Sequence, residues 1–196
     1  ADLKTDIDIR LSDWDRGGRG HSGFKAALDE VWGDLLPEIE KLEKRGVAIW
    51  ITGHSLGGAL ATLAADRLSN VQGLYTFGSP RIGDYEFKRR FRPKAYRVVN
   101  GKDIVARIPP YAPFRHVGKL KFINSKGDVH DQPGLVGETD EIRCNANSAA
   151  PEEKGQGEKS YTAFFIPESI RDHVPLLYSI LLWNELVESH NSNFEK

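Results

Sequence analysis

The chain has 196 residues, with 27 Lys and Arg against 28 Asp and Glu, for a net charge of −1. Hydrophobic residues make up 39% and charged ones 28%; with the 19 Gly added, the apolar share approaches the usual globular value. Disorder, collagen and coiled coil are thereby excluded, and a charge so near zero offers no general field for nucleic acid or an anionic membrane.

In chain order, Thr5 to Leu11 alternates polar and apolar residues, which is strand period. A glycine-rich loop follows from Asp15 to Gly20. The spacing of Phe24, Leu28, Val31, Leu35, Ile39 and Leu42 predicts a helix over Ser22 to Lys44, kinked or split at Pro37. Val47 to Thr52 is a continuous apolar run, expected of a strand buried on both faces of a parallel sheet. Next come a helix over Leu56 to Leu68, a strand over Leu74 to Phe77, a short helix over Asp84 to Phe91 and a strand over Ala95 to Val99. This alternation predicts an α/β fold, a mostly parallel central sheet with helices on both faces.

Beyond Pro109 and Pro110 the pattern changes. Lys119 to Asn124 predicts a strand, and Ser125 to Ser160 a polar loop or hairpin excursion with one strand at Glu141 to Cys144. Pro175 to Glu188 reads as a final helix with Pro175 in its first position, which leaves His173 on the loop before it. The longest apolar run, Val174 to Trp183, is far short of the roughly 20 residues that span a bilayer. The lone cysteine, Cys144, excludes an internal disulfide and reads as an inert, partly buried thiol. The histidines lack ligand-like spacing, so no metal and no cofactor is expected.

Gly53-His54-Ser55-Leu56-Gly57 fits G-x-S-x-G between a buried strand and a helix, the context of a nucleophile elbow. The glycines remove Cβ atoms where strand and helix crowd, and the turn lifts the serine hydroxyl clear of the sheet. The Leu56 N–H at the helix start is the first candidate donor to an oxyanion. A serine needs a base, and the base needs an orienting acid. In this chain order the acid is Asp103, just past a strand, and the base is His173 near the C-terminus. His116 is the rival base. His54 is read as bonding the scaffold, His21 as capping or packing at the long helix, and His130 as solvated.

These residues resemble the class 3 lipases, the fungal-type α/β-hydrolases. The likeness rests on His21 to Phe24, Ile51 to Ala59, Thr76 to Gly83, Tyr96 to Asn100, Asp103 to Val105 with Ile108 to Pro110, His116 to Gly118, and Asp172-His173. Ala106 stands where the family usually carries Pro. The resemblance implies Ser55 as nucleophile, Asp103 as acid and His173 as base. It also implies a second oxyanion donor, a Ser or Thr after an upstream strand, which has no counterpart in this chain. No Met occurs in the sequence, and residues 1–196 are read as one hydrolase domain that lacks an N-terminal segment. The compartment stays open between secreted and cytoplasmic.

The expected activity is carboxylic ester hydrolysis, with acylglycerol at a lipid–water interface as the first substrate. The alternatives are a polar or aromatic ester of the feruloyl type and a non-catalytic lipase-like interaction module. No nucleic-acid partner and no transmembrane segment are expected.

Overall fold

The computed structural model describes residues 10–110, 112–131 and 168–182. The expected strand at Glu141 to Cys144, the expected inert Cys144 and most of the expected strand at Thr5 to Leu11 lie outside these residues.

The first described elements are a small antiparallel pair, β1 (Leu11–Asp13) and β2 (Arg19–His21), followed by α1 (Ser22–Lys44). Then come β3 (Ile49–His54), α2 (Leu56–Arg67), β4 (Val71–Phe77), α3 (Tyr85–Arg90) and β5 (Ala95–Asn100). A 3-10 turn at Val105–Arg107 precedes β6 (Lys119–Ile123) and β7 (Val129–Asp131). The C-terminal part holds a short α4 (Glu168–Arg171) and α5, residues 175–182. The five-stranded sheet runs β3-β4-β5-β6-β7, with β3 to β6 parallel and β7 antiparallel.

Strand alternation decides which helix each side chain meets. Leu74 and Ala95 turn to one face, against Ala61 and Ala65 of α2. Val98 turns to the other, against Tyr178 of α5. Helices therefore cover both faces of this mostly parallel sheet. The main core lies between α1, α2 and the β1–β2 pair, where Leu28, Leu63, Ile82 and Phe87 are buried. The small residues of α2, Gly58, Ala59, Ala61, Ala64 and Ala65, let that helix sit close to the strands.

Short elements form where the sequence predicts loops, as at β2 and β7, and two further departures concern burial and helix continuity. β3 is not buried on both faces: Trp50 is 62% exposed and stacks on Tyr75, which stacks on Tyr96. An apolar run records only that the strand is apolar, not that an element covers it. Pro37 does not divide α1, which continues as one helix through it. Pro37 faces solvent, and the buried anchors of α1, Phe24 and Leu28, are in its first two turns. The cost of the missing N–H falls on a segment that the core does not hold.

A buried polar cluster ties the β1–β2 pair to α2 and α3. Asp66 accepts from Trp14 Nε1 at 2.6 Å and from Arg90 Nη2 at 2.8 Å. Both of these bonds reach Oδ2; Arg90 Nη1 donates to Oδ1 at 3.2 Å, so each carboxylate oxygen of the buried Asp66 has a donor.

Proline in a helix interior is about 3 kcal/mol less favourable than alanine, and part of that returns through its stiffening of the unfolded chain. Pro37→Ala should therefore raise stability by about 1–3 kcal/mol, read as a higher urea midpoint at unchanged m-value. A midpoint at or below wild type would contradict this account of α1.

Candidate active site

β3 enters the elbow and α2 leaves it. Between them Ser55 has φ 56° and ψ −129°, and it is the one non-glycine with positive φ among the described residues. Such a conformation is costly for a side-chain-bearing residue and persists only where its surroundings hold it. Here the Ser55 N–H donates to the Phe77 carbonyl at 2.9 Å, and the Ser55 carbonyl accepts from Gly58 N–H at 2.9 Å. The space is closed by backbone: a Cβ on Gly53 would lie 2.2 Å from the Gly57 carbonyl oxygen. The Leu56 N–H heads α2, where the first N–H groups of a helix lack intrahelical partners.

The three residues singled out in the sequence come together at the C-terminal ends of the parallel strands. His173 Nε2 is 2.9 Å from Ser55 Oγ, across a separation of 118 residues. Its Nδ1 is 2.9 Å from both oxygens of Asp103. A neutral His173 donating from Nδ1 to the carboxylate leaves Nε2 as acceptor for the serine hydroxyl. His116 makes no such contact. It is buried, and its Nε2–H donates to the Ala106 carbonyl at 2.8 Å.

Asp103 has no exposed surface at all, so its charge must be met inside the protein. Val105 N–H donates to Oδ1 at 2.8 Å, and the Tyr178 hydroxyl donates to Oδ2 at 2.5 Å. That hydroxyl in turn accepts from Asn100 N–H at 3.0 Å. Burial, and then the neighbouring Asp103 charge, push the Tyr178 phenol far above its ordinary range, so it stays a donor. Sequence reasoning missed Tyr178. An aromatic residue among Leu176, Leu177, Ile180 and Leu181 reads as packing, and its polar partner is 75 residues away. Gly78 completes the pocket with φ 56°; a Cβ there would lie 2.5 Å from Asp103 Oδ2.

The loop that carries His173 is stapled to the turn that carries Asp103. Asn100 Nδ2 donates to the Asp172 carbonyl at 3.1 Å, and Lys102 N–H to Asp172 Oδ2 at 2.8 Å. His54, beside the serine, donates from Nε2 to the His173 carbonyl at 2.8 Å, and its ring lies 4.6 Å from the His173 ring. Burial holds His54 below the usual histidine range despite that bond. His21 is buried and stacks on Phe24 at 4.0 Å, with no side-chain cap to α1. His130 is exposed. Among the described residues no cluster of His, Cys, Asp or Glu could hold a metal ion. No helix among them is long and apolar enough to cross a membrane.

The model of the family described as Lipase (class 3) matches residues 1–112. A lipase of Caenorhabditis elegans is 33% identical over 125 residues, which are 54% of this chain and 35% of that protein. A secreted mono- and diacylglycerol lipase of Fusarium solani is 39% identical over 98 residues, 46% of this chain and 29% of that protein. The crystal structure of a lipase from Rhizopus microsporus var. chinensis aligns with a TM-score of 0.57 at 33% identity, covering 65% of this chain and 49% of that one. The chain thus spans about a third of the length of these curated relatives.

Burial, with smaller contributions from Arg97 and Arg81, holds His116 neutral well below its ordinary pKa of 6.5. Unfolding frees it to take a proton, so the unfolded state binds more protons below that pH. The contribution of His116 is complete above pH 6.5 and declines as the pH falls. Urea unfolding between pH 7.5 and 5 should show wild type losing stability, with a slope of up to about 1.4 kcal/mol per pH unit from this group. His116→Asn should flatten the curve; an equal slope in both proteins would contradict the assignment.

Proposed function

Because the chain belongs to the class 3 lipase family, we propose that it hydrolyses carboxylic esters through an acylated Ser55, with acylglycerols as the substrate class. The observation that carries this reading is the unbroken hydrogen-bonded path from Ser55 Oγ through His173 to the buried Asp103. The acylglycerol choice draws support from the Fusarium relative, whose name specifies mono- and diacylglycerols.

In this reading His173 Nε2 takes the Ser55 proton as Oγ bonds to the ester carbonyl carbon. The charge that develops on the carbonyl oxygen meets the Leu56 N–H, the oxyanion donor we assign. His173 then returns its proton to the departing alcohol, which leaves an acyl-Ser55. Water attacks the acyl carbon as His173 accepts its proton, and the proton passes back to Oγ when the acid is released. Asp103 fixes the Nδ1–H tautomer of His173 throughout and stabilises the imidazolium. Tyr178 and Val105 hold the carboxylate in place, and His54 holds the main chain of the base. They are positioning residues.

Ser55→Ala should lower turnover of a short-chain p-nitrophenyl ester by about 10⁴-fold or more with the urea midpoint retained. A fluorophosphonate should label wild type and not the variant. Retained turnover or labelling would refute the nucleophile assignment. Tyr178→Phe removes a bond to a charged group, an interaction of about 1.5–3 kcal/mol. It should lower kcat by about 10- to 100-fold with KM little changed. A change in thermal stability with kcat intact would reduce Tyr178 to a packing residue.

A further inference from the structure

The opposite end of the sheet carries a polar cavity that the ester chemistry does not use. It lies where β4 and β5 begin, whereas Ser55, Asp103 and His173 cluster where the strands end. Seven-residue β4 separates the two by about 20 Å at the usual rise per strand residue. Its volume is about 460 Å³, and its lining includes Arg16, Arg90, Arg92, Lys94 and Asp66, four cations against one carboxylate. The chain as a whole has a net charge of −1, so this excess is local. Its source is visible in the sequence: Lys88-Arg89-Arg90-Phe91-Arg92-Pro93-Lys94 places five cations in seven residues.

The single carboxylate is already used. Asp66 is 3% exposed, and its oxygens accept from Trp14 and from both terminal nitrogens of Arg90. Arg90 Nε also donates to the Gly17 carbonyl. Arg16 is anchored by one nitrogen, at 2.8 Å from the Asp66 main-chain oxygen. Arg92 donates one nitrogen to the Arg89 carbonyl at 3.1 Å. No described carboxylate pairs with Arg16, Arg92 or Lys94. Their remaining donors border a cavity that also offers the neutral side chains of Ser69 and Gln72. Guanidinium groups held by one edge, with further N–H groups free, are the donors suited to phosphoryl oxygens.

We propose that this cavity binds the phosphoryl group of an anionic ligand, apart from the catalytic site. Arg16, Arg92 and Lys94 supply the charge, and the Asp66–Arg90 pair holds the wall that presents them.

The 196-residue chain should be melted in inorganic phosphate and in sodium chloride at matched ionic strength. Phosphate should raise the midpoint where chloride does not. The Arg92→Gln/Lys94→Gln variant changes two exposed side chains. It should keep the midpoint seen without phosphate and need about tenfold more phosphate for the same rise. A Lys44→Gln/Lys126→Gln control, equal in charge and remote from the cavity, should respond as wild type. In a second arm, the chain is sedimented with phosphatidylcholine vesicles with and without phosphatidic acid. Phosphate binding alone supports a soluble phosphorylated ligand; phosphate binding together with acid-dependent sedimentation supports a lipid headgroup. An equal rise in chloride, a rise that the cavity variant keeps, an equal loss in the control, or vesicle binding without phosphate binding would overturn the proposal.

Discussion

The Asp103 carboxylate is fully buried, and a buried charge is costly unless donors surround it. Those donors come from separate parts of the chain: Val105 from the turn after β5, Tyr178 from α5 and His173 from the loop before α5. No one of these segments could hold the charge alone. The requirement that Asp103 be satisfied therefore draws the C-terminal segment onto the ends of the sheet. Once it is there, His173 reaches Ser55. The position of His173 follows from the satisfaction of Asp103.

Ser55 is held by a different means. Its strained backbone depends on backbone contacts from β4 and α2, and on glycines that leave room where a Cβ would collide. The small residues of α2 serve both this turn and the packing of the helix on β3 and β4. Packing thus fixes the serine, and hydrogen bonding fixes its partners. The two arrangements meet at one contact, between Ser55 Oγ and His173 Nε2.

Much of this was readable in the chain because it rests on local patterns. Helical spacing located α1 to the residue, and strand–helix alternation located β3 to β6. The G-x-S-x-G context marked Ser55, and chain order marked Asp103 and His173 as its candidates. What escaped depends on pairs distant in sequence. Tyr178 is an apolar-helix residue until its hydroxyl meets Asp103. Asp66 is one acid in an alanine-rich helix until Trp14 and Arg90 close on it. The exposure of Trp50 was hidden for the complementary reason: composition describes a strand, while burial depends on what lies over it. Pro37 does not split α1 because its penalty is borne by a turn outside the core.

The staple between Asn100, Lys102 and Asp172 has a further consequence for how the molecule opens. β3 to β6 with α2 form a body built on short crossovers, whereas His173 joins it across 118 residues of chain. Long-range closures of this kind are made late in folding and released early, in cooperative units smaller than the whole. Residues 168–182, joined to that body through Tyr178 and Asp172, have the connectivity of such a unit. Were it to detach, His173 and the phenol would leave together, and Ser55 would remain in its turn without its imidazole partner. The persistence of the contact between Ser55 and His173 would then be set by the local free energy of that one docking, and not by the stability of the sheet that carries Ser55.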